Sequence, residues 1–154
     1  MCEKIDNMQS EIVSEFDALI PIEYKEAWLF FQGGTGVMST MWFCFSDIAT
    51  GNVFPSDCLS RRKDIIVNDF DAYEQLERKL LGDIIDLQKE YKSLYENEWH
   101  TMTCRLDQSG KFDISFSYEK PTGSWQERRE KWCMEHLGIM PPTVKVDMLR
   151  DEFL

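Results

Sequence analysis

At 154 residues the chain is long enough for a single domain that buries roughly 68–70% of the surface its unfolded form exposes, so it can fold without disulfide or metal staples. A composition of 43% hydrophobic and 13% aromatic residues excludes an acidic disordered chain, and a formal net charge of −11 works against nucleic acid and anionic membranes as partners. Five cysteines (Cys2, Cys44, Cys58, Cys104 and Cys133), an odd number with no close spacing, predict reduced thiols and a cytoplasmic protein.

From Glu3 to Ile20, Ile5, Met8, Ile12, Phe16 and Leu19 recur at spacings of three and four, which predicts an amphipathic helix stopped by Pro21. Tyr24 to Gln32 and Val37 to Phe45 are dense in aromatic and strand-favouring residues. The intervening Gly33-Gly34-Thr35-Gly36 can supply the positive φ angles of a hairpin turn. A short strand around Asn52 to Pro55 is expected next.

Asn68 with Asp71 resembles a helix N-terminus, and Phe70, Tyr73, Leu76, Leu80, Ile84, Leu87, Tyr91 and Leu94 continue it as the longest element. Glu98 to Leu106 and Lys111 to Tyr118 predict a second hairpin turning at Asp107-Gln108-Ser109-Gly110. In its second strand Phe112, Ile114, Phe116 and Tyr118 alternate with polar residues, so one face is solvated. Ser124 and Glu127 form a capping box for a last substantial helix ending near Gly138 and Pro141-Pro142, with a short tail helix from Thr143. No apolar run approaches the ~20 residues that span a bilayer.

Helix, strands, long helix, strands, helix, without a strand-helix-strand unit, define an α+β fold. The expected architecture is an antiparallel sheet of about four to five strands, backed by an N-terminal helix, a long central helix and C-terminal helices. Residues 1–154 are read as one domain. Its core is expected to include Phe16, Trp28, Phe43, Leu80, Ile84, Trp99, Phe112, Phe116 and Trp132.

The residues that carry chemistry elsewhere are not arranged for it here. His100 and His136 lack the cysteine spacing of a zinc site, and Asp83, Asp86 and Glu90 share a helical side as ordinary solvated acids do. The glycine-rich turn has no helix N-terminus after it, which phosphate-binding loops require. Arg61-Arg62-Lys63 stands beside Asp64 without stacking aromatics, as a loop surface or ion-pair donor would. Neither a catalytic residue, a cofactor nor a metal is expected.

The first hairpin is bulky on both faces, so either both are covered or one is an exposed aromatic patch of the kind that marks a binding site. Met1 to Ser60 carries nine acids against two bases. Of these acids Glu23, Glu26, Asp47 and Asp57 flank the hairpin around Trp28 and Trp42, and the six residues form the candidate partner-binding set. The competing class is a small ligand-binding or enzymatic domain with a pocket between sheet and helices; a third is a structural subunit.

Three stretches, IPIEYKEAW from Ile20, NEWHTMTCRLDQSGKFDISFSYE from Asn97 and WCMEHLGIMPP from Trp132, resemble the YezG-like immunity (antitoxin) family of Gram-positive bacteria in order and spacing. The resemblance spans nearly the whole chain, and its most specific part is the Asp-x-x-Gly-Lys-Phe turn at Asp107 to Phe112. It implies a non-catalytic protein that binds and silences the toxic nuclease domain of a cognate secreted LXG-type or related toxin. A basic nuclease domain would suit an acidic inhibitor. Family members often carry a very acidic long helix and an acidic first hairpin turn; here the long helix is nearly balanced in charge and the turn Gly33 to Gly36 is uncharged, a departure from the pattern that DNA mimicry by that helix would need.

Overall fold

The computed structural model describes residues 3–56 and 70–142. In chain order the elements are α1 (Glu3–Leu19), β1 (Tyr24–Gly34), β2 (Val37–Asp47), β3 (Val53–Pro55), α2 (Phe70–Tyr95), β4 (Thr101–Asp107), β5 (Phe112–Ser117) and α3 (Trp125–Leu137). Every neighbouring pair in the sheet order β3-β2-β1-β4-β5 is antiparallel, which gives the α+β fold that the sequence predicts. The Asn68 cap signal, the Arg61–Lys63 cluster and the tail from Thr143 lie outside the described residues.

Period-two alternation sorts the strand side chains onto two faces. On the first face, Ala27, Leu29 and Phe31 of β1 stand beside Phe43 and Phe45 of β2 and Met102, Cys104 and Leu106 of β4, all buried. Ile12, Phe16 and Leu19 of α1 and Leu80, Ile84 and Leu87 of α2 close over them. Spacings of three and four in both helices produce this layer, because they put each apolar set on one side.

On the second face Phe30, Trp42 and Cys44 are buried beneath Trp132 and Cys133 of α3. Both faces are therefore covered in the body of the first hairpin, while Met38 near its tip is 84% exposed. Phe30 stacks on Trp125 and on Trp132, with ring centroids 5.3 and 5.0 Å apart. The Trp132 indole donates to Thr103 Oγ1 at 2.8 Å, and Arg128 Nε donates to Gln32 Oε1 at 2.6 Å. The predicted capping box is present: Glu127 N–H donates to Ser124 Oγ while Ser124 N–H donates to Glu127 Oε1, and Gly138 ends the helix in the left-handed region.

The first hairpin turns where Gly34 takes φ 110°, and a Cβ there would lie 2.8 Å from His100 Nδ1 and 3.1 Å from Glu98 Cδ. The carboxylate of Glu98 accepts from the Thr35 N–H at 3.0 Å and tethers this turn to the lead-in of β4.

One strand boundary needs correction, and so do three of the expected core residues, Phe112, Trp28 and Phe116, the last of which is only partly buried against the first-face cluster. β4 begins at Thr101, not Glu98, and Trp99 is buried in the irregular lead-in, stacked on Phe116 with centroids 4.6 Å apart. Phe112 is 44% exposed because it opens the edge strand β5 and borders an open groove instead of packing into the cluster. Trp28 is half-buried at the border of the second-face cluster, packed against it without being enclosed as Phe30 and Trp42 are.

Candidate partner-binding surface

Register brings the acids of the N-terminal part to one end of the sheet. Tyr24 of β1 pairs with Asp47 of β2, and Glu26 pairs with Asp107 of β4. Glu23 is exposed just before β1, and Asp17 in the last turns of α1 accepts a hydrogen bond from the Tyr24 hydroxyl at 2.5 Å. Burial, then this contact with Asp17, pushes the Tyr24 phenol well above its ordinary value, so the hydroxyl stays a donor.

Between α1 and the β4–β5 turn this end of the sheet opens into a groove of about 900 Å³, lined among others by Asp17, Ile22, Glu23, Ile48, Asp107 and Phe112. Ile48 is 51% exposed and Phe112 44%, while Ile22 is half-buried, so apolar side chains with accessible surface share the groove with three acids. Charged and apolar groups stand together in this lining, as they do in protein interfaces.

The carboxylates are held in place. Asp107 Oδ1 accepts from the Ser109 hydroxyl at 2.6 Å, the Ser109 N–H at 2.8 Å and the Lys111 N–H at 3.2 Å. The Ser109 hydroxyl is the main reason that this carboxyl lies below the usual carboxylate range, and the group is fully ionised at neutral pH. Asp47 Oδ1 accepts from the Thr50 and Gly51 N–H groups at 3.0 Å each, which fixes the loop that presents Ile48.

Of the six residues singled out from sequence, Glu23, Glu26 and Asp47 converge on this end. Glu26 is tied to Arg105, whose Nε donates to Oε2 at 2.7 Å, so part of its charge is spent within the fold. Trp28 is half-buried, Trp42 is 5% exposed under α3 with its ring beneath the guanidinium of Arg129, and Asp57 lies outside the described residues. Sequence reasoning missed Asp17, Ile48, Asp107 and Phe112. The local signal for Asp107 was the Asp-x-Ser-Gly turn itself, whose first residue caps its own backbone.

A second acidic group, Glu11 and Glu15 of α1 with Asp83 of α2, is already filled by the Lys79 ammonium, 3.2, 2.5 and 2.8 Å from the three carboxylates. It joins the two helices across the first face. No described helix is long and apolar enough to cross a membrane.

An acidic α+β domain whose groove at a sheet end mixes acids with exposed apolar side chains has the makings of a protein-binding module. The family described as "Immunity protein YezG-like" matches residues 5–148, and the chain belongs to the YezG-like immunity protein family. It is 24% identical over 152 residues to Immunity protein YezG of Bacillus spizizenii, an alignment covering 96% of this chain and 92% of that one. It is also 28% identical over 74 residues to Immunity protein YezG of Bacillus subtilis, covering 46% of this chain and 49% of that one.

Proposed function

We propose that this chain is a cytoplasmic, non-catalytic immunity protein that neutralises a cognate secreted toxin by direct contact, and that the contacted part is a basic nuclease domain. Membership of the immunity family supports the class of partner. The observation that carries the contact is the groove at the sheet end, where Ile22, Ile48 and Phe112 sit among Asp17, Glu23 and Asp107. A net charge of −11 attracts a basic domain over long range, and the apolar side chains of the groove then set residence time. The acids govern encounter, so raising salt to physiological strength, where the Debye length is about 8 Å, slows association more than it speeds dissociation.

The test is co-production of the chain with the toxic domain of a candidate cognate toxin. Growth is expected to be restored by the parent and lost with Glu23→Lys combined with Ile48→Asp, two exposed positions whose change leaves melting unaltered. If that double variant protects as well as the parent, the interface lies elsewhere. Nuclease assays on the same toxin decide its chemistry; a toxin without nucleic-acid cleavage overturns that part of the proposal.

A further inference from the structure

The two edges of the sheet are unequal. β3 has three residues and ends in Pro55, which has no N–H to offer a neighbour. β5 has six residues, none of them proline or lysine, and pairs with β4 in unbroken register from Leu106↔Phe112 to Thr101↔Ser117. Among the described residues no strand lies on its outer side.

The phase of the ladder decides which peptide groups are free. The Asp107 N–H donates to the Lys111 carbonyl at 2.9 Å, and the Ser117 carbonyl accepts from the His100 N–H at 2.9 Å. In an antiparallel pair such contacts alternate, so the peptide groups of Asp113 and Ser115 turn toward β4 and those of Phe112, Ile114 and Phe116 turn outward. The side chains of these last three form an apolar row on the first face, where Ile114 and Phe116 are half-buried and Phe112 is 44% exposed. Tyr118, 46% exposed, continues the row. On the other face Ser115 and Ser117 border a groove of about 500 Å³ shared with Lys131 and His136 of α3.

We infer that β5 is a seat for strand addition: an extended segment of a positively charged partner protein pairs with the outward peptide groups of Phe112, Ile114 and Phe116. The incoming strand alternates, with apolar residues over the first-face row and polar residues toward the α3 groove. Charge selects the occupant, because two copies of a chain with a net charge of −11 repel while a cationic partner is drawn in. The seat is continuous with the groove at the sheet end, since Phe112 belongs to both. The inference rests on the proposed function only for the identity of the partner.

Amide hydrogen exchange of the purified chain tests it, with a capped peptide of about eight alternating Lys and Val residues as the probe. Millimolar peptide is expected to slow exchange at Phe112, Ile114 and Phe116 by roughly tenfold or more, while Asp113 and Ser115 are already slow without it. A version N-methylated at alternate residues should lose the effect. No slowing at these three amides overturns strand addition. Equal slowing by a Glu–Val peptide overturns the cationic partner, and slowing that grows with protein concentration alone makes a second copy the occupant. Failure of the growth-rescue experiment leaves these rates untouched, so the two readings fall separately.

Discussion

The two faces of the sheet are covered by different means. The first face is closed by two helices over one continuous apolar cluster that runs from Ile5 of α1 to Leu106 of β4. The second is closed by α3 alone, over a cluster whose buried members are Phe30, Trp42, Cys44, Trp132 and Cys133. Large area makes the first face robust. The second compensates with geometry: stacked rings, each such pair worth about 0.5–1.5 kcal/mol beyond burial, and side-chain hydrogen bonds from Trp132 and Arg128. A face held by one helix and a few directed contacts should open locally, whereas the other should yield only on global unfolding.

The largest effect tests that contrast on the thick side. Phe16 and Trp99 are both fully buried, and Phe16→Ala or Trp99→Ala is expected to cost ~3–5 kcal/mol, a large part of a stability of about 5–15 kcal/mol. Denaturant unfolding should show one cooperative transition with a lower midpoint. Trp132→Ala on the thin side should cost less in global unfolding, about 3 kcal/mol at most, because α3 can detach alone. Amide exchange in α3 should then speed up while β1 and β4 stay protected; equal acceleration everywhere would show that the faces are one cooperative unit. A smaller probe of the same helix is Ser124→Ala, which removes the cap bond to Glu127 N–H and should cost about 1 kcal/mol, again read in α3 amides.

How far this contrast was legible in the sequence depends on the range of the interaction. The α1 stripe, both hairpins and the Ser124–Glu127 box are local patterns, and the structure contains them with ends shifted by a few residues. That α3 lies over Trp42 is a long-range choice. The alternation of Trp28, Phe30 and Trp42 with the residues between them is the same whether a helix or a partner covers them. Likewise Phe112 and Phe116 read identically in their strand, and only the position of α2 and Trp99 beside Phe116 separates a packed ring from an exposed one. At the candidate surface the sequence supplied Glu23, Glu26 and Asp47 by their nearness to the hairpin. It could not supply Asp17, Ile48 and Phe112, because helix end, loop and edge strand meet there only through the register.

The smallest expected effect probes a buried carboxylate on the robust face. Glu15 is 8% exposed, its Oε1 has no hydrogen-bond partner, and burial followed by the neighbouring Asp83 carboxyl raises its pKa to about 6. Lys79 bridges this pair to Glu11 and offsets part of the cost of three clustered carboxylates. For an acid whose pKa is higher in the fold than in the unfolded chain, the native state binds more protons between the two values, so stability falls as pH rises through that window. The contribution of Glu15 is therefore fully present below about 4.5 and lost as pH passes 6. Asp83, with its pKa lowered despite burial by contacts with Glu15 and Lys79, contributes in the opposite sense, and the parent shows only the sum. Glu15→Gln removes one limb while keeping a donor for Asp83. Denaturant unfolding from pH 4 to pH 7 should show the variant gaining on the parent by on the order of 1 kcal/mol, with the gain confined to the rise through the Glu15 window. A difference that stays flat across this range would mean that Glu15 titrates in the fold as it does in the unfolded chain, with Lys79 offsetting the cost of its burial.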